Sequence, residues 1–321
     1  MSKRKYCVVG AGAIGSVLGS FPAKGGQEVW FLDPFKAHMD AIAENGLVMH
    51  SRSYSNPNDV TTTTVRVNAT TNADDVGKVD VAILMVKGIF TESAIPNLKK
   101  ICDENTIILS CQNGMGNLDI LKEHFPEENI AYGVTLINSA LEAPGVVRPN
   151  IPDQDKHAHI GSDNKALKPR LEEIVADFRA GGCDMDYDDD IKDKVWAKLV
   201  VNCTNALYAL LCMTARRVIT YEDGAYLVTK LREECIAIGE AHGAKFTPGL
   251  ATIPCIPWDI SPVADAFPST SQDLRAKKKT ENWFLSGYMV REGQKLGIPT
   301  PYSDMLYRMV SVMEQGYEYM Q

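Results

Sequence analysis

Lys198, Asn202 and Asn205 stand at i, i+4 and i+7 in a segment dominated by Val195, Trp196, Leu199, Val200 and Leu207. On one helix that spacing places the three polar side chains on a shared face. A polar stripe along an apolar helix must either find partners or face a wet cleft. The alternative is a solvent-exposed stripe, which Lys194 on the same face would extend. An ammonium aimed into a cleft can stabilise charge growing on a carbonyl oxygen during hydride addition and donate the proton as general acid. In another apolar segment, Glu281 is flanked by Leu274, Leu285 and Tyr288 at offsets of −7, +4 and +7. A lone buried carboxylate is expensive, so a cation such as Lys198 beside it makes physical sense and would be tuned by it. The competing reading is an exposed Glu281 paired with Lys277, four residues earlier.

A hydride donor is suggested near the start of the chain. Gly10-Ala11-Gly12-Ala13-Ile14-Gly15 follows an apolar run and opens a helical one. The first glycine permits a tight turn, the second lets backbone approach a pyrophosphate, and the third allows close helix–strand packing. The helix start offers free N–H groups to the phosphates. The next strand ends in Asp33, eighteen residues beyond Gly15, where a carboxylate would accept the ribose hydroxyls and repel a 2′-phosphate. That favours NAD(H) and leaves NADP(H) as the alternative; Asp33 serving only the turn before Pro34 is the plainer reading. Lys87 and Asn113 follow apolar strands at the carboxyl ends where open α/β sheets bind ligands. Each could equally be an ordinary strand-end residue.

These residues need a frame. Tyr6–Val9, Glu28–Leu32, Val79–Val86 and Thr106–Cys111 read as strands of a parallel sheet, with helices to about Lys24 and around Phe35–Asn45. Gly46–Thr71 reads as strands and loops, and 130–162 as antiparallel or mixed β pieces. A helix over about 165–180 stops at Gly181-Gly182. Beyond the acidic stretch Asp184–Asp190 nearly everything reads as helix: 191–213, 223–243, 273–296 and 303–318. The expected fold is α/β, with a Rossmann dinucleotide-binding domain over 1–188 and an all-helical substrate-binding domain over 189–321.

Bulk properties exclude other classes. A net charge of −8 over 321 residues argues against a nucleic-acid footprint, and Lys277-Lys278-Lys279 reads as a solvated helix face. No stretch approaches the ~20 apolar residues of a membrane span, and a first strand entered directly after Met1-Ser-Lys-Arg-Lys5 gives the expectation of no signal peptide. Of eight cysteines, Cys7, Cys111, Cys203 and Cys212 lie in apolar runs, and none makes a C-x-x-C pair. Reduced core thiols in a cytoplasmic protein, without a metal site, follow. His157 and His159 alternate on a β-like segment and are expected on a sheet face. The apolar C-terminal helices are open either to internal packing or to a homodimer.

Several segments together carry a family resemblance: Val9-Gly-Ala-Gly-Ala-Ile-Gly-Ser16, Lys87, Gln112-Asn-Gly-Met-Gly116, Trp196-Ala-Lys-Leu-Val-Val-Asn202, and Ser269-Thr-Ser-Gln-Asp-Leu-Arg275 with Thr280-Glu281. Along nearly its whole length the chain resembles the ketopantoate reductase family, which includes related (R)-2-hydroxy-acid dehydrogenases. The resemblance implies reduction of a small 2-oxo acid, with Lys198 as catalytic acid and Glu281 contacting substrate and lysine. It further implies Asn113 near the nicotinamide, Ser269 on the substrate carboxylate, Asn202 on the substrate and Lys87 at the cofactor cleft. Two positions depart from the family pattern. Asp33 stands where a basic residue commonly holds the NADPH 2′-phosphate, and Ala206 stands where a second asparagine binds ketopantoate's hydroxyl, Asn205 lying one residue early. Both point from ketopantoate toward the D-mandelate-type members, which use NAD and bulkier 2-oxo acids. True 2-dehydropantoate reduction remains the alternative substrate, an opine or β-hydroxy-acid dehydrogenase a related enzyme. A non-catalytic dinucleotide sensor would have no use for Lys198, Asn113 and Glu281 together.

Overall fold

The computed structural model describes residues 3–52, 60–151, 156–252 and 265–319. Cys255 and parts of the β-rich stretches 46–71 and 130–162 lie outside the described residues. Two compact units emerge: Met1–Gln112 with Asn117–Ile191, and Asn113–Gly116 with Lys192–Gln321.

The first unit contains β1 (Lys5–Val9), β2 (Glu28–Leu32), β3 (Leu47–Arg52), β4 (Val60–Val65), β5 (Asn68–Thr70), β6 (Val81–Leu84), β7 (Ile107–Ser110), β8 (Ile130–Thr135), β9 (Asn138–Ala143), β10 (Val146–Asn150), β11 (Ala158–Gly161) and β12 (Met185–Tyr187). Eight strands form one sheet, ordered β12-β11-β8-β7-β6-β1-β2-β5, with only the β8–β11 pair antiparallel. Its stretch β5-β2-β1-β6-β7-β8 has the 3-2-1-4-5-6 order of the Rossmann fold, as expected. The strands β4-β3-β10-β9 form a separate sheet that sequence did not reveal. The helices are α1 (Ala13–Lys24), α2 (Lys36–Asn45), α3 (Thr91–Ile101), α4 (Asn117–His124) and α5 (Lys168–Ala180).

Strand alternation explains why both faces of the large sheet are covered. Tyr6, Val8, Val81, Ile83, Ile107 and Leu109 enter one apolar core, while Cys7, Val9, Ala82, Leu84 and Ile108 enter another. Between the cores, β1 ends at the point where the strand order reverses, which is where the glycine-rich turn begins.

A buried polar knot anchors α5 to the first strand. Asp177, 1% exposed, accepts hydrogen bonds from Arg4 Nη1 at 2.7 Å, Tyr6 Oη at 2.5 Å and Gln27 Nε2 at 2.8 Å. Asp177→Ala leaves these donors without their shared acceptor. It is expected to cost about 3 kcal/mol, a fall of roughly 10 °C in Tm on thermal unfolding.

The described residues of the second unit form helices and no strand: α6 (Ile191–Asn202), α7 (Asn205–Leu210), α8 (Ala215–Ile219), α9 (Glu222–Ala241), α10 (Ser269–Arg275), α11 (Ser286–Leu296) and α12 (Pro301–Gln315). Trp196, 1% exposed, centres their core, its ring 6.2 Å from Tyr288 and stacked 5.5 Å from His242. From α9, Glu234 accepts the Tyr302 and Ser303 N–H groups at 2.8 and 2.9 Å, placing a carboxylate at the positive end of α12.

Two helices expected to be continuous are interrupted. The 191–213 helix breaks at Cys203 and Thr204, whose side chains bond the Val200 and Val201 carbonyls at 3.1 and 2.7 Å in competition with the backbone. The 273–296 helix starts earlier, at Ser269, and stops after Arg275. There Lys277, at φ +52°, donates to the Leu274 carbonyl and Lys278 to that of Asp273 at 3.1 and 2.9 Å, closing a Schellman motif. Lys277-Lys278-Lys279 is therefore an exposed turn, not a helix face. Cys212, expected in the core, is exposed at φ +54° just past α7, whereas Cys7, Cys111 and Cys203 are buried; all the described cysteines are free. No described helix is long and apolar enough to cross a membrane.

Candidate active site

The glycine-rich turn has three glycines with different reasons. A Cβ on Gly10, at φ +94°, would sit 2.4 Å from the Val86 nitrogen, and one on Gly15 would sit 2.2 Å from the Gly10 carbonyl oxygen. Both are demanded by the protein's own packing. A Cβ on Gly12 would meet nothing within 4 Å. Internal sterics thus give no reason for that glycine, and space left for an outside group does. Gly12 is also the residue before α1, whose start has no side-chain cap and no acid in its first turn. Ala11 and Gly15 are buried, Ala13 and Ile14 partly so. The turn's shape and uncapped donors fit a dinucleotide pyrophosphate.

Asp33 follows β2 and is half-exposed; its Oδ1 accepts the Phe35 N–H at 2.8 Å. The carboxylate thus does serve the turn, through one oxygen. Lys87, half-buried beyond β6, precedes a short 3₁₀ turn, its carbonyl accepting the Phe90 N–H at 2.8 Å. Beyond β7, Gln112 is a hub that spacing alone gave no means of finding. Its Nε2 donates to the Val86 carbonyl at 2.8 Å and Thr91 Oγ1 at 2.9 Å, and its Oε1 accepts from Ser110 Oγ at 3.0 Å. Thr91 in turn donates to the buried Asn117 at 3.0 Å. Gln112 ties two strand ends to the start of α3 immediately before Asn113.

Asn113 opens a four-residue loop belonging to the helical unit. There the Met115 N–H donates to the Phe284 carbonyl at 2.9 Å, and Gly114, at φ +78°, leaves only 2.4 Å between a hypothetical Cβ and that same oxygen. The Asn113 loop is therefore brought against the segment that starts at Glu281. Glu281, 7% exposed, is buried as expected, but not on a helical face: it precedes the 3₁₀ turn Asn282–Phe284. The offsets to Leu274 and Lys277 lose their helical meaning because α10 has already ended. Thr280 and Asn282 hold the turn, the former donating to Glu314 from N at 2.8 Å and Oγ1 at 2.6 Å, the latter from Nδ2 to the Tyr307 carbonyl at 3.0 Å. Glu314 and Tyr307 were missed because they arrive from α12.

Lys198 and Asn202 are half-buried on α6, and Asn205 opens α7. The break at 203–204 does not separate the asparagines, since Asn205 Nδ2 donates to Asn202 Oδ1 at 3.5 Å. Ala206 is buried at 4% exposure. Ser269 is the exposed first residue of α10.

The sequence profile described as "Ketopantoate reductase PanE/ApbA" matches residues 6–162, and its C-terminal counterpart matches 190–314. A 2-dehydropantoate 2-reductase of Streptococcus pyogenes serotype M3 is 30% identical over 317 residues, spanning 96% of this chain and 97% of its own. A PanE/ApbA family ketopantoate reductase from Ralstonia eutropha superposes with a TM-score of 0.84 at 29% identity, covering 98% of this chain and 99% of its own. D-mandelate dehydrogenase in complex with NADH and anilino(oxo)acetate shares the fold, with a TM-score of 0.86 at 24% identity over 97% and 99% of the two chains. Matched in both its halves and along nearly its full length, the chain belongs to the ketopantoate reductase family and is an oxidoreductase.

Proposed function

We propose that the chain reduces a 2-oxo acid to an (R)-2-hydroxy acid with NADH in the cytoplasm, residues 1–188 binding the dinucleotide and 189–321 the acid. Bound at Gly10, Ala11, Gly12, Ala13, Ile14 and Gly15, with Asp33 on the ribose and Lys87 beside the cofactor, the dinucleotide supplies the hydride. Lys198 stabilises the carbonyl oxygen as it gains charge and gives it a proton, completing the hydroxyl; solvent returns the proton to the amine. Glu281 holds the ammonium in place, and Asn113 orients the reacting carbonyl. Ser269, Asn202 and Asn205 hold the substrate's polar groups. One observation carries this reading: the Asn113 loop packs on the Glu281–Phe284 segment inside the unit that also bears Lys198. A dinucleotide sensor would need no such assembly. An NADH-oxidation screen over ketopantoate, phenylglyoxylate and branched 2-oxo acids, repeated with NADPH, tests it; no turnover on any of them would sink the proposal.

Ketopantoate itself is a second reading, favoured by the 30% identical S. pyogenes relative. The buried Ala206 speaks for a different side chain, because no asparagine stands there to take the hydroxyl.

Cofactor choice is testable at one atom. Asp33→Asn keeps the Oδ1 acceptor for Phe35 and removes only the charge. The wild type is expected to favour NADH in kcat/KM by tenfold or more, and Asp33→Asn to shift the ratio toward NADPH by about tenfold. An unchanged ratio would leave Asp33 its turn alone.

A further inference from the structure

Gly145, His38 and Ser16 form a hydrogen-bond chain that ends on the glycine-rich turn. Gly145, between β9 and β10, donates its N–H to His38 Nδ1 at 2.8 Å. His38 Nε2 lies 3.2 Å from Ser16 Oγ, and Ser16 Oγ donates to the Ala11 carbonyl at 2.8 Å. Ala11, Ser16 and His38 are each 0% exposed. Since Nδ1 accepts, a neutral ring carries its proton on Nε2 and donates it to Ser16, whose own proton is committed to Ala11. Burial lowers the His38 pKa, against upward pulls from Asp33 and the Ala11 backbone, which favours that neutral ring. The far face of the ring is covered by Phe35, stacked at 6.0 Å.

The consequence lies in the peptide joining Ala11 to Gly12. A trans peptide sets its carbonyl and N–H in opposite directions. Tying the Ala11 carbonyl to Ser16 therefore turns the Gly12 N–H the other way, at the uncapped start of α1. We propose that His38 is a positioning residue for the cofactor: through Ser16 it holds the Ala11–Gly12 peptide so that the Gly12 N–H faces the dinucleotide pyrophosphate. The small sheet thereby gains a purpose, since its β9–β10 turn supplies the first donor of the relay. This rests on the dinucleotide reading above.

The test is fluorescence titration of the full-length protein with NADH, alongside Tm and steady-state kinetics. Ser16→Ala and His38→Ala are expected to weaken NADH binding about tenfold, with kcat at saturating NADH within about twofold of wild type. His38→Gln offers an amide acceptor and donor in place of the two ring nitrogens and is expected to recover most of the affinity. The double alanine variant should bind no more weakly than either single one, because both break the same chain. Should His38→Ala fail to fold, Ser16→Ala and His38→Gln carry the test. Folded variants that bind NADH as tightly as wild type overturn the role of His38, as does a kcat loss at unchanged affinity. A wild type that binds no dinucleotide overturns the reading beneath it instead.

Discussion

Lys198→Ala is expected to lower kcat by about a hundred- to ten-thousandfold while leaving NADH affinity unchanged. Reduction of a ketone places negative charge on one oxygen, and water is a poor acid for it. The ammonium on α6 is the cation that family resemblance and its place on an apolar helix both single out. Alanine is the strongest helix former, so the substitution leaves α6 intact and isolates the lost chemistry. The glycine-rich turn lies in the other compact unit, which is why NADH titration should not move. Lys198→Arg separates the two roles of the group. A guanidinium keeps the charge but yields its proton far less readily, so a partial recovery assigns the remainder to proton transfer. Turnover of Lys198→Ala at the wild-type rate would remove the residue from the mechanism.

Substitutions in the glycine-rich turn should divide by cause. Gly12→Ala is expected to leave Tm within about 2 °C of wild type and to weaken NADH by tenfold or more, because the new methyl group meets no protein atom and only a bound pyrophosphate would feel it. Gly10→Ala instead drives a Cβ to 2.4 Å from the Val86 nitrogen at φ +94°, and is expected to destabilise the fold by about 3 kcal/mol in addition to losing the cofactor. Thermal unfolding and NADH titration on the same preparations give both numbers. Equal Tm losses in the two variants, or NADH affinity untouched in Gly12→Ala, would mean that nothing binds over Gly12.

Local pattern carried much of the architecture. β2 runs over Glu28–Leu32, the limits expected of it, because its apolar run and flanking turns are adjacent in the chain. What escaped was decided by partners distant in sequence or by side chains acting against propensity. Thr204 looks like any helix residue until its hydroxyl takes the Val201 carbonyl. Lys277 closes a helix in a conformation normally given to glycine, and no glycine marks the place. The separate small sheet pairs β3 with β10 about a hundred residues apart, beyond the reach of periodicity. The candidate site divides in the same way. The glycine turn, Asp33, Lys87 and Asn113 announce themselves at strand ends. Glu281 was singled out through a helical face that does not exist, yet its burial is real. Its supports, Glu314 and Tyr307, have no local signature at all, and Gln112 stands within a family segment whose pattern says nothing of the hydrogen bonds it makes.

The four residues Asn113–Gly116 leave the chain's bipartite layout without a clean seam. By covalent continuity they extend β7, but by packing they belong with Phe284. A helical half excised at residue 192 would lack a piece of its own interior. Recombination between relatives at that border would pair one parent's loop with the other's Phe284 surface, and Gly114, where a Cβ would sit only 2.4 Å from the Phe284 carbonyl oxygen, tolerates little mismatch. Exchange of the helical module between relatives is therefore expected to give folded protein only where the Asn113–Gly116 loop travels with its helices.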